Sequence, residues 1–240
     1  MDIMRKRFTM GLAGHVIEID TVSTCTCVLC MDYLCEGTPD IQIKVTDEDV
    51  QREASIISRK NLRPIDLINA TAHRKVVEAL LEHDFVLMHG AVVAAGNRGY
   101  MFSAPSGTGK TTHVRHWLRN LESSYIVNGD KPLVRVEDGK AVAYGTPWCG
   151  HEGMGRNAKV PLEAIVFLER SESNRIAEIS FTKAYPRILQ QTFMPHDQKA
   201  AERTLDLLSK LHNTTTFWHF ACNNYAEDCF DVSYGALCRA

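Results

Sequence analysis

The stretch Ala104-Pro105-Ser106-Gly107-Thr108-Gly109-Lys110-Thr111 constrains this chain more than any other. It follows the phosphate-binding pattern G-x-x-x-x-G-K-[ST], with Ala104 where the first glycine usually stands. Gly107 and Gly109 allow a backbone curl that turns successive N–H groups toward phosphate oxygens. Lys110 supplies a point charge for the outer phosphates, and the Thr111 hydroxyl is placed to ligate Mg²⁺. The flanks agree with that reading. Tyr100-Met101-Phe102 feeds in as an apolar strand, and Thr112 to Leu118 leaves as a helix whose N-terminus faces the phosphates.

The 240 residues are 45% apolar and 23% charged, the make-up of a soluble globular protein able to bury a sizeable core. A net charge of −2 argues against general binding to nucleic acid or a membrane surface. Arg5-Lys6-Arg7 precedes an apolar stretch, but His15, Glu18 and Asp20 interrupt it and no small-residue cleavage site follows. No run is long enough to span a bilayer, so the expected location is cytoplasmic.

Eight cysteines are many for a cytosolic chain, and Cys25, Cys27, Cys30 and Cys35 cluster. Thiolates at short spacing suit a soft metal. Taken as a strand, however, the segment points Cys25 and Cys27 to one face and Cys30 to the other, and no C-x-x-C pair repeats. Buried filler is the expected role, with metal binding left open.

Two regions are expected, residues 1–84 with strands and helices and residues 85–240 as a core around the phosphate loop. His15 to Asp20 and Ile41 to Val45 alternate as half-buried strands do. Thr46 with Asp49 resembles a capping box and predicts a helix through about Ser58. A second helix follows Pro64, with Leu67, Ile68, Val76, Val77, Leu80 and Leu81 on its buried face. Phe85 to Ala95 reads as one strand, Gly96 to Gly99 as a tight turn and Tyr100 to Ser103 as the partner strand. Further strands are expected at Tyr125–Val127, at Leu133–Glu137 and Ala141–Tyr144 around Asp138-Gly139, centrally at Ala164–Leu168, and at Phe217–Cys222. Helices are expected at about Lys183–Phe193 and His196–Leu211. The sum is an α/β fold with a mixed sheet and the phosphate loop at its carboxyl edge.

Other residues gain meaning beside a bound nucleotide. Asp130 ends the strand after the loop's helix, where a second carboxylate can hold Mg²⁺ or accept a hydroxyl proton; a turn role beside Gly129 is the alternative. His89 lies one hairpin upstream of the loop, as a structural residue or a proton acceptor. Pro147 to Asn157 is glycine-rich and polar, and can wrap a substrate or merely connect strands.

His89-Gly90, the hairpin, Ser106 to Thr111 and the strand ending in Asp130 resemble the catalytic domain of HPr kinase/phosphorylase. The loop itself is similar to that of phosphoenolpyruvate carboxykinase, which shares that fold. The resemblance spans Phe85 to Leu168, and the whole chain looks like a small group of HPr-kinase-related bacterial proteins. It implies an ATP- and Mg²⁺-dependent kinase, with Ser106, Gly107, Thr108, Gly109, Lys110, Thr111 and Thr112 on the nucleotide and Thr111 and Asp130 on the metal. His89 matches the histidine beside the reacting phosphate. Asp130 matches the second of two adjacent acids, while Gly129 stands where the first, the usual base, would be. Asp130, His89 or Glu152 would then serve both roles, or the transfer is slow, or the protein binds nucleotide without turnover. Arg156, in a loose match to the family's arginine-bearing signature, is a candidate for stabilising the equatorial oxygens.

The leading expectation is phosphorylation of a hydroxyl on a peptide, a protein or a small metabolite. A nucleotide-binding regulatory protein is the alternative, and a homo-oligomer is left open. A true carboxykinase fails on length and on the missing substrate and metal residues.

Overall fold

The computed structural model describes residues 6–57 and 62–238. The chain forms two compact units, Met1–His83 and Asp84–Ala240.

The first unit is built on a small sheet. β1 (Lys6–Leu12) and β2 (His15–Thr21) form an antiparallel hairpin, and β3 (Ile41–Lys44) pairs parallel to β2. The hairpin turns at Ala13 and Gly14, with φ of 56° and 87°, the left-handed region that Gly14 enters without strain. Period-two alternation sends Met10, Leu12, Ile17, Ile19, Ile41 and Ile43 to the buried face. Met10 and Leu12 had been expected only as part of an interrupted apolar stretch, so β1 is an addition.

The segment of clustered cysteines is α1 (Thr24–Leu29), a helix and not a strand. Ser23 explains the difference. Its hydroxyl accepts the Cys25 N–H and supplies an N-cap, which favours helix over the extended form. Cys27 and Cys30 are buried, and burial together with Cys27 pushes the Cys30 thiol up to about 12. Among the described residues, no group of three or more His, Cys, Asp or Glu is arranged to hold a metal.

α2 (Asp47–Ile56) opens with the expected capping box, in which Thr46 and Asp49 bond each other's backbone N–H. It ends at Ile56, and Ser58 lies outside the described residues, as does Arg5. α3 (Pro64–Leu81) starts with Pro64 at its first turn and buries Ile68, Ala72, Val76, Val77 and Leu80; Leu67 is only partly covered. Arg74 on α3 meets Glu53 on α2 at 2.5 Å.

The second unit carries the curled mixed sheet of nine strands. Its elements run β4 (Val86–Leu87), β5 (Ala91–Ala95), β6 (Arg98–Ser103), α4 (Lys110–Asn120), β7 (Ser124–Asn128), β8 (Leu133–Glu137) and β9 (Lys140–Tyr144). Then follow β10 (Lys159–Arg170), β11 (Arg175–Glu178), α5 (Phe181–Gln190), α6 (Gln198–Ser209), β12 (Thr216–Cys222) and α7 (Cys229–Cys238). The strand order is β4-β8-β9-β10-β6-β5-β7, with β12 also on β10 and β11 on β12.

β10 is the spine of this sheet and explains its curl. Lys159–Pro161 pairs antiparallel with β9, while Leu162–Phe167 runs parallel to β6 and Ala164–Arg170 parallel to β12. Its burial alternates at the start and becomes continuous from Ala164 to Leu168, where it lies within the sheet and is covered on both faces. The expected central strand is thus present and longer than its apolar run.

The expected hairpins form. Gly96 and Asn97 connect β5 to β6, and Asp138 (φ 47°) with Gly139 (φ 75°) connects β8 to β9. The single strand expected over Phe85–Ala95 is instead broken between β4 and β5. There His89 N–H bonds Gln191 O (2.6 Å) and Gly90 N–H bonds Asp130 O (2.9 Å). Those non-sheet partners interrupt the ladder and place His89 at the break. α5 ends at Gln190, before the expected Phe193, because Gln191 to Phe193 turns to run beside residues 87–89. Phe193 N–H bonds Leu87 O at 2.9 Å. β11 is a short strand with no strong alternation, which is why no expectation covered it.

The core of this unit lies between the sheet and the helices α4 and α7. Tyr100, Phe102 and Trp117 are fully buried, and Trp117 lies 4.9 Å from Tyr100 and 5.5 Å from Phe102. That packing sets α4 on the sheet with its first turn just past the end of β6. Among the described residues no helix is long and apolar enough to cross a membrane.

Candidate functional site

The loop between β6 and α4 is built by two glycines in the left-handed region. Gly107 has φ 81°; Gly109, with φ 116°, is the N-cap residue of α4. The positive φ favours glycine there, and a Cβ would also lie 2.4 Å from Asn224 Nδ2 and displace that side chain. Pro105, Ser106 and Gly107 form an exposed rim, and Thr108 Oγ1 donates to Pro105 O at 2.9 Å. Arg170, from the end of β10, donates to Gly107 O at 2.5 Å.

Lys110 opens α4, yet it is only 7% exposed. Its Nζ donates to Ala104 O at 2.9 Å and reaches Pro105 O at 3.5 Å, so the side chain folds back under the loop. Burial lowers the Lys110 ammonium, and the charge of Asp130 opposes that shift. Thr111 and Thr112 follow in the first turn of α4, Thr112 exposed and Thr111 half-buried.

Asp130 sits just past β7, and Asn128 holds it there. The Asn128 Oδ1 accepts the N–H of Asp130 (2.8 Å) and of Lys131 (2.6 Å), while its Nδ2 donates to Thr146. Asn128 is completely buried, so this one carboxamide shapes the whole turn. Asp130 Oδ1 lies 3.2 Å from His89 Nε2. Burial would raise the Asp130 carboxyl, but the hydrogen bond and charge of His89, with Lys131 and Lys110 nearby, hold it below its ordinary value.

His89 is pinned from several directions. Its Nδ1 is 2.9 Å from Gln191 Oε1, its N–H bonds Gln191 O, and its carbonyl accepts from Ser103 Oγ at 2.7 Å. The break in the strand therefore brings His89 beside both the end of β6 and the turn of Asp130. Lys110, Asp130 and His89 form one electrostatically connected group.

Two other expected residues are engaged elsewhere. Glu152 forms an ion pair with Arg115 of α4. The Arg156 guanidinium stacks 4.8 Å over the Tyr125 ring, near the start of β7, while its backbone N–H bonds Val127 O. Among the described residues, neither side chain pairs with His89, Lys110 or Asp130.

Gly129 has a steric reason. A Cβ there would lie 2.9 Å from Cys149 O and 3.0 Å from Met154 O. The glycine-rich segment 149–155 folds against the end of β7, with an isolated bridge between Asn128 and Gly155. Backbone carbonyls thus stand where a side chain at 129 would begin.

Gln191, Asn224 and Arg170 were not foreseen. Gln191 is separated from His89 by 102 residues, and no short-range pattern connects them. Asn224 Nδ2 donates to Gly109 O (3.2 Å), its Oδ1 faces His113 Nδ1 (3.2 Å), and its carbonyl meets His116 Nε2 (2.9 Å). It ties the segment after β12 to the first turns of α4. The Asn128-Gly129 pair was a visible turn signal, although its capping partners were not.

No family model matches the chain, and no curated protein matches it. Among solved structures, it is similar to the Hpr(Ser) kinase/phosphatase from Coxiella burnetii, at 9% identity and a TM-score of 0.36. That likeness covers 62% of this chain and 95% of that one, and is a distant structural relationship.

Proposed function

We propose that this protein is an ATP-dependent kinase that transfers the γ-phosphoryl group to a hydroxyl, on a Ser or Thr side chain or on a small metabolite. The observation that carries this reading is the meeting of three groups at one glycine loop. Lys110 lies under the loop, Asp130 is coupled to it electrostatically, and His89 stands 3.2 Å from the Asp130 carboxylate.

The residues fit a Mg-nucleotide. The open side of Gly107, where a Cβ would meet nothing within 4 Å, leaves room for a phosphate against the loop backbone. The start of α4 adds orphan N–H groups and the positive end of the helix dipole. Ser106 to Thr112 would hold the phosphates, with the Lys110 ammonium moving from the Ala104 and Pro105 carbonyls to phosphate oxygens. Mg²⁺ on Thr111 and Asp130 would neutralise charge on the β- and γ-phosphates.

As the acceptor oxygen bonds to the γ-phosphorus, the bond to the ADP oxygen breaks and the acceptor's proton passes to Asp130, or to His89 when its ring is neutral. The chain's contribution is positioning and charge neutralisation, without a covalent intermediate. A second reading, a nucleotide-binding regulatory protein without turnover, is favoured by the carbonyls that crowd Gly129.

Calorimetric titration with Mg-ATP, followed by a phosphotransfer assay on Ser- and Thr-bearing peptides, tests both. Lys110→Ala should cost about 2–3 kcal/mol of nucleotide affinity, the scale of a hydrogen bond to a charged group. Asp130→Asn should lose the Mg²⁺ dependence of binding or turnover and keep its fold. Wild-type protein that binds no Mg-nucleotide overturns both readings; tight binding without turnover leaves the regulatory one.

A further inference from the structure

We infer that Gln191 is a positioning residue for the phosphoryl-transfer site, acting through His89. This inference rests on the kinase reading and adds to it a residue from a distant part of the chain.

His89 lies in the gap between β4 and β5, where sheet hydrogen bonds do not determine the backbone. Three other bonds replace them: His89 N–H to Gln191 O (2.6 Å), Ser103 Oγ to His89 O (2.7 Å) and Gly90 N–H to Asp130 O (2.9 Å). The main chain at His89 is therefore tied to α5's end, to the strand feeding the loop, and to the Asp130 turn. The imidazole still has rotation about its own axis, a broad torsion with no strong intrinsic preference. Gln191 restricts it. With Nδ1 at 2.9 Å from Gln191 Oε1, the opposite nitrogen is directed at Asp130 Oδ1, 3.2 Å away.

Gln191 grips His89 twice, through its backbone carbonyl and its side chain. It is itself anchored, because it is the C-cap of α5 and its N–H bonds Ile188 O at 3.1 Å. The neighbouring chain adds support. Met88 and Thr192 form an isolated bridge, and Phe193 N–H bonds Leu87 O. This places the end of α5 behind His89, bonded to both its main chain and its ring. A group held this way spends less rotational freedom in reaching the transition state.

The test compares Gln191→Met, which keeps the volume and removes the acceptor oxygen, with Gln191→Glu, which keeps an oxygen there. Mg-ATP affinity is measured by calorimetry, and ATP turnover with Ser- and Thr-bearing peptides or with water as acceptor. For Gln191→Met the expected result is a fall in kcat of about 10–100-fold, the usual cost of losing a residue that orients a site ligand, with Mg-ATP affinity unchanged within about two-fold. Gln191→Glu should recover most of the lost turnover. Wild-type turnover in Gln191→Met overturns the inference and leaves the kinase reading standing, as does a parallel loss of affinity and kcat in both variants. Wild-type protein without turnover overturns both.

Discussion

Gly129 offers a direct test of why this chain lacks an acid beside Asp130. In Gly129→Ala the new Cβ would stand 2.9 Å from Cys149 O and 3.0 Å from Met154 O, distances that real Cβ atoms rarely or never show. Both neighbours are backbone carbonyls, so no flexible side chain can swing aside. Relief requires the 149–155 segment to lift from the end of β7, against the Asn128–Gly155 bridge and the Arg156 N–H bond to Val127 O. Overpacking of this kind costs about 1–3 kcal/mol. For a protein of this size, about 2–4 °C accompanies each kcal/mol, so Tm should fall by roughly 2–12 °C. Gly129→Asp should lose at least as much, since its carboxylate meets the same two acceptor oxygens. Gly235 in α7 is the control: a Cβ there meets nothing within 4 Å, and Gly235→Ala should gain about 0.5–1 kcal/mol from helix propensity. Scanning calorimetry of the three variants, with Mg-ATP turnover alongside, reads both stability and function. A Gly129→Asp protein as stable as wild type and faster in turnover would refute the steric account.

Acid should weaken the fold through His113. It is fully buried, and burial, with the neighbouring charge of His116, pushes it down to about 3 although its Asn224 contact opposes the shift. Among the described residues its buried Nε2 has no hydrogen-bond partner, which suits the neutral ring. A folded value below the ordinary value of about 6.5 means that the unfolded chain binds the proton better, so stability is lost as pH falls below about 6.5. Between pH 7.5 and 5, wild type should lose about 2 kcal/mol more than His113→Gln in urea titrations, and equal losses would refute this. In the first unit, Glu53→Ala should cost about 1.5–3 kcal/mol, the scale of a hydrogen bond between charged groups, because Arg74 keeps Glu78 as a second partner, and Glu53→Ala/Arg74→Leu should recover part of that. A double variant no more stable than the single one would count against the pair being the cause.

Short-range physics was legible in the residues themselves. Asp138-Gly139 announced its hairpin because two successive left-handed residues are cheap only with such a pair. Thr46 and Asp49 announced a helix start because their reciprocal bonds span three residues. Gly107, Gly109 and Lys110 announced the loop for the same reason: backbone permissiveness and a charge at fixed spacing are properties of adjacent positions. The same local view misread Cys25 to Cys30 as a strand, where the cap from Ser23 makes a helix. Tertiary structure decided everything that depended on distant partners. It broke the Phe85–Ala95 strand at His89 by offering the carbonyl of Asp130 to Gly90 N–H and that of Gln191, 102 residues away, to His89 N–H. It sent Glu152 to Arg115 and Arg156 to Tyr125, since a charge pairs with whatever the fold brings near. And it closed the space at Gly129 with two carbonyls whose approach is set by how the 149–155 segment packs against the end of β7, a steric fact that no sequence spacing encodes.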